Sequence, residues 1–293
     1  MLDKGGIRII IIENDRLQVE IAHKGAEVQK VTQKTTTQNR MWSGDPAYWG
    51  RVSPILFPIV GGLKNETYSY KGKSYTLPRH GFLRDQVFVT HSLSKTKARF
   101  HFESSGQFAH VYPFEFTVYI DYELHENTLH IQWRVVNNSE EEMLFSIGGH
   151  PAFSLPMEEN TNLEDHVLTL RSEKEVTSYQ LTDGLLKEVE ALPQSLSLVP
   201  RWFKDDALVY KGIQTVEILV KEETKLRVDL HGAPYVGIWS PYKEQDQELA
   251  FICIEPWYGI ADKWDASGNL EDKEGIQRIN ANESFKEGYT IHF

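Results

Sequence analysis

The 293-residue chain is poor in cysteine and in positive charge. Its single cysteine, Cys253, excludes an internal disulfide, and the apolar run "LAFICIEPW" around it indicates a buried thiol rather than a nucleophile. The formal net charge of −11 argues against nucleic acid and anionic membrane as partners, because both attract clustered lysine and arginine. A small-molecule ligand remains compatible with this composition.

The chain also lacks long apolar runs and several well-known motifs. Near the N-terminus only residues 9–12 are consecutively apolar, which is too short for a signal segment or a membrane span, and we predict a cytoplasmic protein. No G-x-S-x-G, G-x-G-x-x-G or G-x-x-x-x-G-K-[ST] motif occurs. These absences argue against a serine hydrolase, a dinucleotide enzyme and a P-loop nucleotide enzyme.

What the sequence has in abundance is alternation of apolar and polar residues with a period of two. Every second residue is apolar in "FEFTVYIDYEL", 114–124, and through most of "LHIQWRVV", 129–136. The polar "HENT" between them predicts the turn of a long antiparallel hairpin with one buried face. Further strands are predicted at residues 17–21, 98–104, 215–220, 225–230, 250–255 and 288–293.

Helical periodicity is scarce, and residues 156–164 and 262–275 are predicted to be polar loops. A chain with many strands and no helical layer must pack sheet on sheet. We therefore predict an all-β fold, a large antiparallel β-sandwich of about 15 or more strands. We expect it to form a single domain over residues 1–293, with a ligand site on its concave face.

Four segments place a charged or titratable residue beside glycine, proline or tryptophan. They are "YWGRVSPILFPIVGGLKN" with Arg51, "LPRHGFLRD" with His80, "SIGGHPAF" with His150, and "CIEPWYGIAD" with Glu255. Each has an ordinary structural explanation: an ion pair for Arg51, a satisfied histidine for His80, a turn for His150, and a buried pair with arginine for Glu255. Together with the aromatic residues they indicate a sugar site, where rings stack on the sugar and charged groups bind hydroxyls.

Two local predictions concern the backbone of these segments. Gly148, Gly149 and Pro151 are expected to interrupt a strand and lift His150 off its sheet. Glu255 is expected to end its strand before Pro256, buried, with a raised pKa that suits a general base. A metal site formed by two histidines and Glu255 is the first alternative to this interpretation. No H-x-H or H-x-x-x-H pair occurs that would supply two ligands from one segment, and we predict no metal.

Five pieces in this order resemble the aldose 1-epimerase (galactose mutarotase-like) family, and most of all its LacX-type branch. They are "WGRVSPILFPIVGGLKN", "YKGKSYTLPRHGFLRD", "SIGGHPAF", "FKDDALVY" and "CIEPWYGIAD". They span residues 48 to 262, and the strand-rich flanks fit as well. Each piece alone is weak, whereas the ordered set is specific.

The resemblance implies a galactose mutarotase-like supersandwich that interconverts the α and β anomers of aldoses, an isomerase without metal or organic cofactor. It implies that His150 is the general acid and Glu255 the general base, and that Arg51 and His80 bind the sugar. The site aspartate falls in "FKDDALVY", where Asp206 fits the pattern better and a one-residue shift would select Asp205.

Because the sequence departs from the family pattern at two positions, it does not identify which sugar binds. Phe82 replaces the second glycine of the usual His-Gly-Gly piece, and Gly149 replaces the asparagine before the acid. Arg79, Arg84, Lys71 and Lys73 lie near His80 in sequence, and solvated turn charges are their more common explanation. A phosphate pocket formed by them would make the protein a hexose-6-phosphate 1-epimerase, which is one alternative. The other alternative is a non-catalytic carbohydrate-binding or sensing protein on the same fold, and both a monomer and a homodimer fit.

The sequence also raises a question about His150. Burial alone lowers the pKa of an imidazole, so a general acid at this position needs a group that keeps it protonated. No neighbour in the sequence identifies that group.

Overall fold

A computed structural model describes residues 8–244 and 248–293. Over these residues it contains 25 strands and no α-helix, only 3-10 turns at Lys64–Glu66, Leu83–Asp85, Leu163–Asp165, Pro200–Phe203 and Leu270–Asp272. None of the described helical segments is long and apolar enough to cross a bilayer. The cytoplasmic location was predicted from the N-terminal segment. Residues 1–7 of that segment lie outside the described part of the chain.

The largest sheet has nine strands, and every pairing in it is antiparallel. In spatial order the strands are β18 (Ser195–Ser197), β15 (His166–Arg171), β20 (Thr215–Val220), β21 (Glu223–Asp229), β25 (Ser284–His292), β11 (Thr128–Asn137), β10 (Phe116–His125), β9 (Lys97–Glu103) and β8 (Val89–Ser94). The predicted hairpin is β10–β11, with Glu126 and Asn127 at its turn.

A second antiparallel sheet has eight strands. In spatial order they are β17 (Leu185–Glu188), β16 (Thr177–Thr182), β19 (Leu208–Lys211), β22 (Tyr235–Trp239), β23 (Phe251–Tyr258), β13 (Ile147–Gly149) and β5 (Ile55–Leu56), and β14 (Ala152–Ser154) also pairs with β23. Three smaller sheets complete the fold: β1 (Ile9–Glu13), β2 (Leu17–Ala22), β3 (Val28–Gln33) and β4 (Gln38–Asn39); β6 (Thr67–Tyr70) with β7 (Lys73–Thr76); and β12 (Met143–Phe145) with β24 (Gln277–Ile279).

Apolar side chains from both large sheets form one core. The inward residues of the β10–β11 hairpin are all buried, as the period of two predicts. Trp133 of β11 packs edge-on against Tyr258 of β23, with ring centroids 6.4 Å apart, and Phe116 packs 4.8 Å from Phe57, which follows β5. This sheet-on-sheet contact confirms the predicted β-sandwich.

Strand β23 is buried on both faces, and this burial positions the site. Ile252, Ile254 and Tyr258 face the main core, while Phe251 and Trp257 belong to smaller apolar clusters on the other face. The strand extends through Pro256 to Tyr258, so the prediction that Glu255 ends it is wrong. Because both faces are covered, the sequence lacks the alternation that would have marked the full length of the strand.

Candidate active site

His150 and Glu255 face each other across two neighbouring strands. On one side of His150, Ile147 pairs with Tyr258, and on the other side Ala152 pairs with Cys253. The same register carried through the gap between β13 and β14 sets His150 opposite Glu255.

The predicted interruption occurs at His150 and Pro151, which separate β13 from β14, but the prediction that His150 is lifted off its sheet is wrong. The His150 amide donates to the carbonyl of Pro54 at 3.0 Å, and the Ile254 amide donates to the carbonyl of Pro151 at 3.2 Å. Backbone pairing thus continues on both sides of the segment. His150 reaches Glu255 from within the sheet, because residues opposite each other on adjacent strands carry neighbouring side chains.

The two functional groups lie close together in a dry setting. His150 Nε2 is 3.2 Å from Glu255 Oε2, and the two side chains are 9% and 2% exposed. The angles are nevertheless poor, so that Glu255 Oε2 and His150 Nδ1 have no well-oriented hydrogen-bond partner among the described residues. Buried polar atoms without hydrogen-bond partners lower the stability of the fold. This arrangement is typical of groups that bind a ligand.

Burial pushes both groups toward their uncharged forms. Burial, together with the positive charge of the nearby Arg84, Arg79 and Arg51, lowers the pKa of His150 to about 3. Burial, followed by the charge of Asp206, raises the pKa of Glu255 well above its ordinary value. Both pKa shifts therefore favour a single proton on the pair, carried by the Glu255 carboxyl group, with a neutral imidazole opposite it.

This proton count predicts how the pair affects stability as pH changes. Unfolded, Glu255 and His150 titrate near 4.5 and 6.5, so between these values the unfolded and the folded pair each hold one proton. Below pH 4.5 the unfolded pair holds two protons, and the pair's contribution to stability rises with pH. Above pH 6.5 the unfolded pair holds none, and the contribution falls by up to about 1.4 kcal/mol per pH unit.

Urea unfolding of the wild type and of a His150→Gln/Glu255→Gln double variant across this pH range measures the contribution as a difference. We expect that difference to be flat between pH 4.5 and 6.5 and to fall on both sides. A difference that rises between pH 4.5 and 6.5 and is flat above pH 6.5 would show that the folded pair is deprotonated, and would contradict the assignment.

Tryptophans surround the imidazole. Trp49 stacks on His150 with ring centroids 4.6 Å apart, and Trp239 meets the same ring edge-on at 5.7 Å. Trp257 lies over two glycines: an added Cβ would be 2.7 Å from its ring at Gly148 and 2.5 Å at Gly237. Gly148, two residues before His150, thus makes room for an aromatic wall, which explains its presence better than a turn does.

His80 is held in one neutral tautomer. Its Nδ1 accepts a hydrogen bond from the Gly61 amide at 3.1 Å, so the ring proton is on Nε2. Burial, together with the positive charge of the nearby arginines, keeps the pKa of His80 well below its ordinary value. His80 has a φ of 68°, and its ring lies edge-on to His150 at 5.7 Å.

The structure brings Asp206, and not Asp205, to the cavity wall. Asp206 adopts a φ of 142°, which is strained for a residue with a side chain, whereas Asp205 is exposed and contributes only to the outer groove. Arg79 donates to Asp206 Oδ2 at 3.3 and 3.4 Å. Arg79 also lies against Gly184, where an added Cβ would be 2.3 Å from its Nη2.

Arg51 lies beside the site but does not line the cavity. It donates to Asp85 at 2.9 Å, so the structure contains the ion pair that the sequence left open. Its charge nevertheless acts on His80 and His150 by lowering their pKa values. The arginines that line the cavity are Arg79 and Arg84, which the sequence indicated only through the phosphate alternative.

These side chains enclose a cavity of about 190 Å³ on the face of the eight-stranded sheet that points away from the main core. It continues into an outer groove of about 420 Å³ through Arg79, Gly184, Asp206 and Trp239. The cavity is lined by Trp49, Gly61, Gly62, Arg79, His80, Arg84, His150, Leu181, Gly184, Asp206, Ala207, Trp239, Glu255 and Trp257.

Within the described residues, one group has the donor types of a metal site. The ligand atoms of His150, Cys253 and Glu255 all lie within 4.8 Å of one another, so Cys253 takes the place that the sequence-based rival gave to His80. Burial raises the pKa of the Cys253 thiol, which opposes the thiolate that a metal ion requires. These residues fit a polar organic ligand better than an ion.

Comparison with known proteins agrees with this geometry. A model of the family described as aldose 1-epimerase matches residues 8–272. The chain is 27% identical over 299 residues to the chromosomal protein LacX of Lactococcus lactis subsp. lactis, covering 96% of this chain and 98% of that protein.

Two solved structures are also similar to it. A galactose mutarotase related enzyme from Lactobacillus acidophilus has a TM-score of 0.91 and 36% identity over 97% of both chains. A galactose mutarotase-like protein from Lactobacillus casei has a TM-score of 0.87 and 24% identity over 97% of this chain and 99% of the other. The resemblance read from five short segments is thereby confirmed, and the chain belongs to the aldose 1-epimerase family.

Proposed function

We propose that the protein interconverts the α and β anomers of an aldose by opening and reclosing the sugar ring. One observation carries this proposal: a histidine and a glutamate 3.2 Å apart, both buried, line a cavity walled by tryptophan. A site that only binds sugar gains nothing from two opposed titrating groups without well-oriented partners. Paired general acid and general base catalysis requires such a pair.

The reaction needs one base and one acid at the same time. Glu255 as carboxylate takes the proton from the C1 hydroxyl, His150 as imidazolium gives a proton to the ring oxygen, and the C1–O5 bond breaks. The aldehyde turns about C1–C2, and the ring closes on the other face with the two roles reversed. Atoms and protons balance, with no redox step and no role for a cofactor.

The proton needed for this step is already in the pair. Burial favours the proton on Glu255, and its transfer to His150 creates the carboxylate and the imidazolium without exchange with solvent. Sugar hydroxyls that bond to the unpartnered Oε2 and Nδ1 stabilise this charged form. The carboxylate of Glu255 is then the neighbour that keeps His150 protonated.

The remaining wall groups suit a sugar. Trp49, Trp239 and Trp257 offer ring faces and edges to the C–H side of a pyranose. His80 offers its Nε2–H as a donor to a hydroxyl, and Asp206 offers carboxylate oxygens as acceptors. Arg51 contributes positive charge from beside the cavity rather than direct contact.

NMR exchange between anomers of glucose and galactose tests the proposal. We expect the wild type to accelerate exchange and His150→Ala to lose at least about 10²-fold in kcat. His110→Ala, at an exposed histidine outside the cavity, is the matched control and should keep the wild-type rate.

Two outcomes decide against the proposal. Sugar binding without accelerated exchange in the wild type would identify a carbohydrate-binding protein. Loss of activity in a chelator, restored by a divalent ion, would replace the two-residue mechanism with a metal site at His150, Cys253 and Glu255.

A further inference from the structure

We propose that the indole N–H of Trp257 donates a hydrogen bond to the Glu255 carboxylate, which makes Trp257 the positioning residue of the general base. This inference rests on the proposed function, because it takes the roles of Glu255 and His150 in ring opening as given. It adds a residue that acts through Glu255 and explains how a buried carboxyl group becomes a base.

Trp257 and Glu255 lie on the same face of β23. They are two residues apart on this strand, so their side chains leave the sheet on the same side, and both line the cavity. Trp257 is 2% exposed and Glu255 is 1% exposed. The two side chains therefore form a part of the cavity wall that is shielded from solvent.

Two glycines fix the orientation of the indole ring. An added Cβ at Gly148 would be 2.7 Å from Cδ1 of Trp257, and one at Gly237 would be 2.5 Å from Cζ2 and Cη2 and 3.2 Å from Cε2. Gly148 lies on β13 and Gly237 on β22, the strands on either side of β23. The ring therefore lies across β23 and packs on the backbone of both neighbouring strands.

The indole nitrogen lies in the middle of this span. Nε1 is bonded to Cδ1 on one side and to Cε2 on the other, so it lies between the atoms that contact the two glycines. Gly148 pairs with Trp257 itself, whereas Gly237 pairs with Glu255. The ring thus extends from its own position on the strand back to that of Glu255, and its N–H edge lies beside the carboxyl group.

The two groups match as donor and acceptor. Among the seven tryptophans, all within the described residues, Trp257 is the one whose Nε1 is completely buried without a hydrogen-bond partner. Glu255 Oε2 is also buried without a well-oriented partner. An indole N–H can only donate and a carboxylate can only accept. Catalytic hydrogen bonds are often poorly aligned in the free protein and tighten when substrate binds.

Trp257 favours the form of Glu255 that ring opening requires. Burial and then the charge of Asp206 raise the pKa of Glu255, and the hydrogen bond from Trp257 is the largest of the effects that lower it. The mechanism needs Glu255 as a carboxylate while His150 holds the proton. A donor beside the carboxylate stabilises this charged state of the pair against the uncharged state that burial favours.

The three tryptophans of the cavity thus divide between the acid and the base. Trp49 and Trp239 pack on the ring of His150, with centroids 4.6 and 5.7 Å away. Trp257 instead belongs to the apolar cluster around Leu56 and Tyr235. Its contact with Glu255 gives it a role that the other two do not have.

Trp257→Phe tests this role, because phenylalanine keeps an aromatic ring and removes the N–H. We expect kcat for anomer exchange of glucose and galactose to fall by about 10- to 100-fold, with KM within about threefold of the wild type. Trp264→Phe, at a tryptophan that is 67% exposed and outside the cavity, is the matched control and should change neither value. Benzothienylalanine at position 257, which has the shape of tryptophan with sulfur in place of the N–H, should show the same loss even if Trp257→Phe folds poorly.

The indole N–H signal of Trp257 in proton–nitrogen correlation NMR spectra reports the contact directly. It is assigned as the signal that Trp257→Phe lacks. Saturating glucose or galactose should shift this signal downfield in the wild type, because a hydrogen bond to a carboxylate is shorter than one to a neutral carboxyl group. Glu255→Gln should remove the shift, and the signal of Trp264 should not move in either protein.

The outcomes separate this inference from the proposed function. A raised KM with wild-type kcat in Trp257→Phe would show that the N–H bonds to the sugar and would overturn the inference. Wild-type values of both constants would overturn it as well, and either result leaves the proposed function standing. If the wild type exchanges no sugar, the proposed function fails and the NMR signal decides. A sugar-induced shift that Glu255→Gln lacks then supports the contact, and an unmoved signal rejects it.

Discussion

Replacing Glu255 with glutamine is expected to lower kcat for anomer exchange by about 10³-fold, within the range for loss of a general base. The amide has nearly the shape of the carboxyl group but cannot take up the proton of the C1 hydroxyl. Glu255 is 1% exposed, so no solvent water is placed to substitute for it. NMR exchange with saturating sugar, compared with the wild type at the same pH, measures the loss.

The same variant should fold at least as well as the wild type. Burial raises the pKa of Glu255 well above its ordinary value, so at neutral pH this carboxyl group costs the native state free energy that the unfolded state does not lose. Glutamine removes that cost. We expect the melting temperature of Glu255→Gln at pH 7 to equal or exceed that of the wild type, while activity falls.

Glu217→Gln is the matched control for this result. Glu217 is also buried, but it lies on β20 of the nine-stranded sheet and pairs with Arg171. Its replacement should lower stability and leave kcat unchanged. Wild-type kcat in Glu255→Gln with every sugar that the wild type accepts would remove Glu255 from the mechanism.

The sequence predicts the fold well where one face of a strand is buried. The hairpin β10–β11 and strands β2, β9 and β20 lie within one or two residues of their predicted bounds, because alternation reports a half-buried strand directly. The prediction fails at the end of β23 and for residues 147–154. Both segments lie inside the eight-stranded sheet, where cover on both faces removes the alternation that marks a half-buried strand.

The candidate site was predicted in the same uneven way. His80, His150, Asp206 and Glu255 all line one cavity, although they lie on segments far apart in the sequence. Arg51 does not line the cavity, because it forms an ion pair with Asp85 instead. The sequence could not predict this pair, since it depends on how loops that are distant in sequence pack together. No motif in the sequence predicted that Trp239 belongs to the site. Trp239 ends strand β22, and only the pairing of β22 with β23 brings it to His150. The single-domain organisation stays a prediction.

Replacing Asp262 with asparagine is expected to destabilise the fold by about 3 to 5 kcal/mol, the usual cost of leaving a buried charge unpaired. Asp262 accepts a hydrogen bond from Lys273 at 2.6 Å, and the two side chains are 6% and 3% exposed. Burial already lowers the pKa of Lys273, and the charge of Asp262 is the main effect that opposes this. The amide removes that charge.

The contacts of Asp262 make this loss relevant to the cavity. Its side chain accepts from the Lys64 amide at 3.0 Å, its own amide donates to the carbonyl of Gly62 at 2.9 Å, and its carbonyl accepts from Leu186 at 2.8 Å. Gly62 lines the cavity, and Leu186 belongs to the β16–β17 hairpin whose turn residue Gly184 does so too. The buried ion pair therefore fixes the loop 262–275 against two walls of the site.

Urea unfolding at pH 7 measures the effect, and a Lys273→Met/Asp262→Asn double variant tests the reason for it. Removing the buried cation together with its partner should recover more than half of the lost stability, because no uncompensated charge remains. Arg278→Gln, at the exposed pair with Glu142, should change stability by no more than about 0.5 kcal/mol. If the double variant is less stable than Asp262→Asn alone, the hydrogen bonds of Lys273, and not its charge, hold the loop in place.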